Sequence, residues 1–220
     1  VRLDEPGTGP APTLLGRQYS HWSFTFNSGP SPLEGNLWSA AGSSFTTLDA
    51  PLAYGPLDLY LMGMLGPDEV PPQALWYVAS PGSFQPPVDA NGNPWSRASR
   101  PMPGVTCVGD RRSFTIQDIV LTNGIRLPAY PDARRDFRAA FAMVVPSLGS
   151  VTPQQLEALA ALRASFASWF TDHTLGRGHF DATLHRVPAR IVFRHRVHGD
   201  VEPTTAPIPF TTAIALEQWS

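Results

Sequence analysis

The sequence predicts an α+β domain, rich in loops, with short mixed strands and one long helix toward the C-terminal end. Residues 152–172 carry the clearest signal: Thr152 and Gln155 make a capping box, Pro153 takes the first helical position, and Leu156, Leu159, Leu162, Phe166, Trp169 and Phe170 recur at intervals of three and four. Elsewhere 24 prolines and 18 glycines among 220 residues break the chain into short elements joined by turns. With 42% hydrophobic and 15% charged residues, the chain still has the material for a sizeable core.

In chain order, residues 1–13 are rich in Pro and Gly and read as a loop, and residues 14–26 start as a short helix and finish extended. Residues 33–48 show no helical period and are expected to be irregular, with one short strand at 44–48. A short buried helix follows over 57–65, entered through Pro56 and left through Gly66-Pro67, with an extended exit to Pro72. Ala-Leu-Trp-Tyr-Val-Ala at 74–79 has the content of a strand, bounded by Pro72 and Pro81-Gly82. Residues 81–104 read as an exposed excursion around an Asn91-Gly92 turn.

Residues 115–123 suit a short amphipathic helix, capped by Ser113 or Thr115 and stopped by Gly124. Residues 136–145 fit helix or strand, and Phe-Ala-Met-Val-Val favours a strand over the second half. The helix at 152–172 should face the core and close at Gly176 and Gly178, followed by a strand at 189–197 and a Pro/Thr-rich linker at 202–209. The expected division is one domain over 1–187, then a strand and linker, or the start of an appended β module, over 188–220.

Composition excludes several function classes. A net charge of −2 with dispersed arginines leaves no basic footprint for nucleic acid. All 16 basic residues are arginine, a bias that separates no function from another. The single cysteine, Cys107, excludes an internal disulfide and a cysteine-based zinc knuckle. No apolar run approaches the roughly 20 residues that span a bilayer, and residues 1–12 lack the charged start and apolar middle of a signal peptide. P-loop, dinucleotide and G-x-S-x-G motifs are absent, and Cys107 has no local nucleophile signature.

Three motifs follow one another early in the chain: His-Trp-Ser-Phe at 21–24, Leu-Glu-Gly-Asn at 33–36, and Pro-Leu-Asp-Leu-Tyr-Leu-Met-Gly at 56–63. Each sets a metal-capable or acidic side chain among aromatics and glycines that would hold it rigidly. Their order resembles a group of bacterial secreted proteins that look like zinc metallopeptidases, and the resemblance covers residues 14–185. It implies a helix with H-E-x-x-H supplying two zinc-binding histidines and the general-base glutamate, and these 220 residues contain no such motif. The chain is therefore expected to be the downstream part of such a domain, with the general base upstream of Val1. The resemblance further implies zinc as cofactor of the intact parent, a protein or peptide substrate, and a secreted or cell-envelope location. Alone, the chain should not hydrolyse peptides. The rivals are a non-catalytic secreted binding or adhesion module, with aromatics forming a carbohydrate or protein surface, and a structural domain of an envelope protein.

His21 matches the third zinc ligand that the resemblance implies; the alternative is a histidine hydrogen-bonded within an aromatic core. Glu34, followed by a glycine that lets backbone approach closely, is read as a partner of a histidine or a turn-stabilising acid in preference to a metal ligand. Asp58, an acid between Leu57 and Leu59, needs a partner if buried, and is expected to orient His21 or to cap a neighbouring backbone. Tyr60 lies opposite it on the helix. Leu61-Met62-Gly63 is similar to the Met-turn of metzincins, but ordinary packing is the favoured role for Met62 and Met64. His21, Glu34 and Asp58 should converge on one concave surface, and Trp22, Phe24, Leu61 and Met64 should be left facing water. His173, His179 and His185, six apart, share no common face, His195 and His198 read as exposed, and Asp89 to Asn93 reads as a plain turn, not a calcium loop.

Overall fold

The computed structural model describes residues 1–138, 141, 143 and 151–182. The strand expected at 189–197, the linker at 202–209, the boundary at 187/188 and His185, His195 and His198 all lie outside the described residues. The chain divides into two compact units: Val1–Arg135 with Asp172–Gly178, and Asp136–Thr171 with the chain from His179 onward. Both mix short strands with helix. Several small sheets and one long helix make up the described architecture.

The first unit opens with a hairpin, β1 (Leu3–Glu5) against β2 (Gly9–Ala11), where a loop was expected. Strands β3 (Leu37–Ala41) and β4 (Ser44–Leu48) form a second hairpin, joined by Gly42-Ser43, with Gly42 at φ +63°. The expected strand is β4; β3 escaped notice because Leu-Trp-Ser-Ala-Ala has no alternation to read. Helix α1 spans Pro56–Leu61, with Pro56 at its first position as the sequence suggests. It ends about one turn short of Leu65. Gly63 at φ +78° sends the Met64 N–H back to the Leu59 carbonyl (2.7 Å) and its own to Tyr60 (2.9 Å), a Schellman closure with Leu59 and Met64 both buried.

Strand β5 (Trp76–Ala79) lies within the predicted 74–79 segment. It pairs on one side with the extended segment around Phe26, through Val78 N–H to Thr25 O and Asn27 N–H to Trp76 O, both 3.0 Å. Strand β6 (Thr106–Val108) completes the order β3-β4-β6, and β7 (Asp110–Ser113) flanks the other side of β5. Helix α2 (Ile116–Asn123) starts at Thr115, whose hydroxyl accepts from Asp118 N–H (3.3 Å), and stops at Gly124 with φ +82°.

The core of this unit gathers Phe24, Trp38, Phe45, Trp76, Val78, Val105 and Cys107, with Phe84, Trp95 and Met102 packed against it. Residues 81–104 are thus not a free excursion. The Phe84 and Trp95 rings sit 5.8 and 4.7 Å from that of Phe24, so the segment buries a core wall while its tip stays in solvent. At that tip the Asn91-Gly92 turn forms as read: Asp89 Oδ1 accepts from the N–H groups of Asn91 and Asn93, both at 2.9 Å. The Gly-Arg-Gly segment at 176–178 is anchored too. Arg177 donates to the Met64 carbonyl (2.8 Å) and the Glu69 carboxylate (2.7 Å) and lies 4.0 Å over the Tyr130 ring. That guanidinium, with the Gly66 N–H, pulls the Glu69 carboxyl down to about 2.

In the second unit β8 (Asp136–Arg138) runs parallel to β9 (His179–Asp181), and α3 (Pro153–His173) is the predicted long helix. Its capping box is present: Thr152 N–H to Gln155 Oε1 at 2.9 Å, Gln155 N–H to Thr152 Oγ1 at 3.3 Å. The strand lies at the start of 136–145, not in its second half, of which only Phe141 and Met143 are described. The helix is less core-facing than expected. Phe166 meets Phe180 at 4.6 Å and Phe170 meets Phe137 at 5.6 Å, whereas Leu156 and Leu162 are 37% and 53% exposed.

Candidate functional site

The segment carrying His-Trp-Ser-Phe is shaped by a short 3-10 turn, Arg17–Tyr19, that brings Arg17 and His21 together. Gly16 N–H reaches the His21 carbonyl (2.8 Å), Ser23 N–H that of Leu14 (2.8 Å), and Trp22 N–H that of Leu33 (2.9 Å). This last bond lays the turn against the loop containing Glu34. Gln18, Tyr19 and Glu34 sit at φ of 56°, 54° and 65°, three of the five non-glycine residues with positive φ among the described residues. Strained backbone gathered around one small group of side chains is a feature of functional sites.

His21 is half-buried, and both ring nitrogens are engaged. Nδ1 lies 3.0 Å from the Arg17 carbonyl, which only accepts, so Nδ1 bears the hydrogen; Nε2 lies 3.2 Å from Arg17 Nη2, which only donates, so Nε2 presents its lone pair. The two contacts together select the arrangement with the hydrogen on Nδ1 and the lone pair on Nε2. The same guanidinium grips Glu34, Nε to Oε2 at 3.1 Å and Nη2 to Oε1 at 2.5 Å. Arg17 thereby holds the Glu34 carboxyl below the usual carboxylate range, against the opposing effect of partial burial. Beside Glu34 opens a cleft of about 430 Å³ lined by Pro30, Pro32, Leu37, Leu52 and Arg100.

Asp58 does not join His21 and Glu34, which corrects the expected convergence. It is 3% exposed and accepts from Trp22 Nε1 (2.7 Å), from the Gly55 N–H (2.8 Å) and from the Ser31 hydroxyl. Of the two roles read from the sequence, it takes the backbone cap, and it pins the Trp22 indole where His21 was the expected partner. Burial pushes its carboxyl above the usual range, against the pull of those three donors. Gly35, read as leaving room for a ligand, leaves room for Ser28: a Cβ there would stand 1.8 Å from Ser28 Oγ.

Tyr60 is buried, its hydroxyl accepting from Arg126 N–H (2.9 Å). Met62 caps α1 through its N–H to the Asp58 carbonyl (2.8 Å), and Met64 is wholly buried. Trp22 and Phe24 are buried as well and Leu61 is half-buried, so the expected patch facing water does not exist. Asp89 is turned onto its own loop, as read. Among the described residues no group of three or more His, Cys, Asp or Glu side chains could hold a metal ion.

The chain matches no protein-family model, no curated protein and no solved structure. Among the described residues no helix is long and apolar enough to cross a membrane. The site therefore rests on its own geometry: one lone pair on His21 Nε2 and one carboxylate on Glu34, both turned onto Arg17. Arg17 is the member that sequence reading missed. The only trace was its position four residues before His21, which acquires meaning only through the left-handed backbone at Gln18 and Tyr19.

Proposed function

We propose that residues 14–63 form one wall of a zinc-dependent peptide-hydrolysing centre of a secreted or envelope protein, with His21 offering Nε2 to the metal. The observation that carries this reading is the tautomer. An imidazole whose Nδ1–H is held by a carbonyl is the form that ligates zinc, and the Arg17 carbonyl supplies that hold. The donor set fits zinc chemically, since imidazole nitrogen and carboxylate oxygen are both ordinary zinc ligands. It does not fill a tetrahedral site. The remaining ligands and the general base are assigned to an H-E-x-x-H helix outside these 220 residues.

When bound, zinc supplies Lewis-acid polarisation of a carbonyl and a water acidic enough to attack it. This chain's own residues position and shape. Asp58 fixes Trp22, and Trp22 fixes the backbone of its neighbour His21. The cleft next to Glu34, with prolines and leucines on its walls and Arg100 at its edge, offers an apolar seat for a peptide side chain.

A second reading, a non-catalytic secreted binding module, is favoured by one observation: Arg17 already occupies both donors. In that case the cleft is the contact surface, because Trp22, Phe24, Trp38 and Trp76 are buried and offer no aromatic platform.

The purified 220-residue chain, supplied with zinc and a generic peptide, is expected to show no turnover. Hydrolysis abolished by a chelator would contradict the assignment of the missing ligands to another segment.

A further inference from the structure

We propose that the cleft bounded by β1, β7 and α2 recognises an extended peptide, which pairs antiparallel with the outer edge of β7 and lowers a lysine or arginine side chain between the acids of the cleft. This site needs no metal and is independent of the role of His21.

Phe114 N–H reaches the Leu75 carbonyl at 3.1 Å, and in antiparallel pairing hydrogen-bonded and open pairs alternate, so Arg112 exchanges its backbone bonds with Tyr77. Trp76 and Val78 agree with this phase, because their backbone groups turn to the other side, onto Asn27 and Thr25. The N–H and C=O groups of Arg111 and Ser113, opposite Val78 and Trp76, therefore point away from the sheet. Among the described residues none of these groups has a hydrogen-bond partner. Such an edge is a template for one more strand, whose main chain supplies affinity while a side pocket supplies specificity.

The cleft, about 530 Å³, includes Arg112 and Ser113 of this edge. Three carboxylates, Asp4, Glu5 and Asp118, line it against one guanidinium, Arg112, so three negative charges meet one positive and the net is −2. The Glu5 side chain is only 15% exposed and is short of donors. The Tyr77 hydroxyl donates to it at 2.7 Å and Arg112 Nη1 lies at 3.5 Å, whereas a carboxylate has about four acceptor positions. Burial and the bond to Glu5 push the Tyr77 hydroxyl up to about 12, so at neutral pH it stays a donor. Asp118 gives Oδ2 to Thr115 and keeps Oδ1, and the exposed Asp4 carboxylate has no hydrogen-bond partner among the described residues. Leu3, Phe114 and Leu121 supply apolar wall, with Leu121 84% exposed. An aliphatic stem can lie on that wall while its charged head meets the acids, which is the build of a lysine or arginine side chain. Directly opposite Arg112 it would face a like charge, so its place is opposite Phe114, two residues along and on the same face of the sheet.

The test is binding of three capped peptides to the 220-residue chain, followed by the amide NMR signals of Arg111 and Ser113. The first is Lys-Val-Thr-Val-Thr, the second has norleucine in place of lysine, and the third is the lysine peptide N-methylated at its second and fourth residues, those that face Ser113 and Arg111. The lysine peptide should shift both signals saturably, the norleucine peptide should bind about tenfold more weakly for want of charged hydrogen bonds, and the N-methylated peptide should not bind. Glu5→Gln, which keeps an oxygen for the Tyr77 hydroxyl, should bring the lysine peptide to the norleucine level. Asp110→Asn, an equal loss of charge on β7 away from the cleft lining, should leave binding unchanged. Equal binding of the lysine and norleucine peptides, or equal weakening by Glu5→Gln and Asp110→Asn, would overturn the role of the cleft, and undiminished binding of the N-methylated peptide would overturn the strand pairing. Self-association of the chain that the lysine peptide does not disperse would give the edge to a second copy and overturn the proposal. Should Glu5→Gln fail to fold, the exposed Asp4→Asn takes its place and is read in the same way.

Discussion

Replacing Asp58 by alanine is expected to cost about 3–5 kcal/mol, a large part of the stability of a domain this size. The carboxylate is 3% exposed and is the acceptor for Trp22 Nε1–H and Gly55 N–H. Removing it takes the partner from all three donors: the two N–H groups stay buried and unpaired at about 1–3 kcal/mol each, while the Ser31 hydroxyl can rotate to another acceptor, and a void opens beside the indole. The damage reaches function as well, since Trp22 is the residue beside His21. Asp58→Asn keeps an oxygen for Trp22 and should cost less. Its pH behaviour is diagnostic. Burial raises the folded carboxyl above its unfolded value, so the native state binds the proton more readily; wild type should therefore lose stability relative to Asp58→Asn as pH rises from the ordinary carboxylate range through the raised value. Urea unfolding at several pH values measures both effects, and a constant gap between the two proteins across that window would contradict the buried, raised carboxyl.

Gly35→Ala is expected to destabilise by about 2–3 kcal/mol, the upper range for overpacking. The new Cβ would meet Ser28 Oγ at 1.8 Å and the Gly29 carbonyl at 2.7 Å, and although a hydroxyl can rotate away, a backbone carbonyl cannot. The loop must shift, and Glu34, one residue away and already at φ +65°, shifts with it and loosens its grip on Arg17. Gly42→Ala is the control. It has nothing within 4 Å of the new Cβ and bears only the cost of its left-handed φ, about 1–2 kcal/mol. Thermal unfolding that ranks Gly42→Ala as the more damaging would remove close packing as the reason for Gly35.

These two positions show what was and was not legible. Local grammar was readable: Thr152, Pro153 and Gln155 announced α3, Thr115 and Gly124 bounded α2, and the aromatic run at 74–79 announced β5. Elements that depend on a distant partner were not. Asp110-Arg-Arg-Ser is wholly exposed and becomes β7 only by pairing with β5, and Gly9-Pro10-Ala11 is a strand only because Leu3–Glu5 lies beside it. The same division runs through the site. An acid between two leucines had to find a partner, and Asp58 did. That the partner would be Trp22, 36 residues away, was beyond local reading. His21 and Glu34 were read as converging together with Asp58; what they share is Arg17, which bonds each of them and whose placement depends on two consecutive residues in left-handed backbone. Strain of that kind contradicts local preference and so leaves no signal in composition or spacing.

The central claim, that His21 offers Nε2 to zinc, is tested most directly by the metal content of the full-length gene product, purified without added metal and compared with its His21→Ala variant. The account predicts about one zinc per chain, falling to near zero in the variant while the fold, judged by its melting transition, is retained. Wild-type protein without zinc, or zinc retained undiminished in His21→Ala, would contradict it.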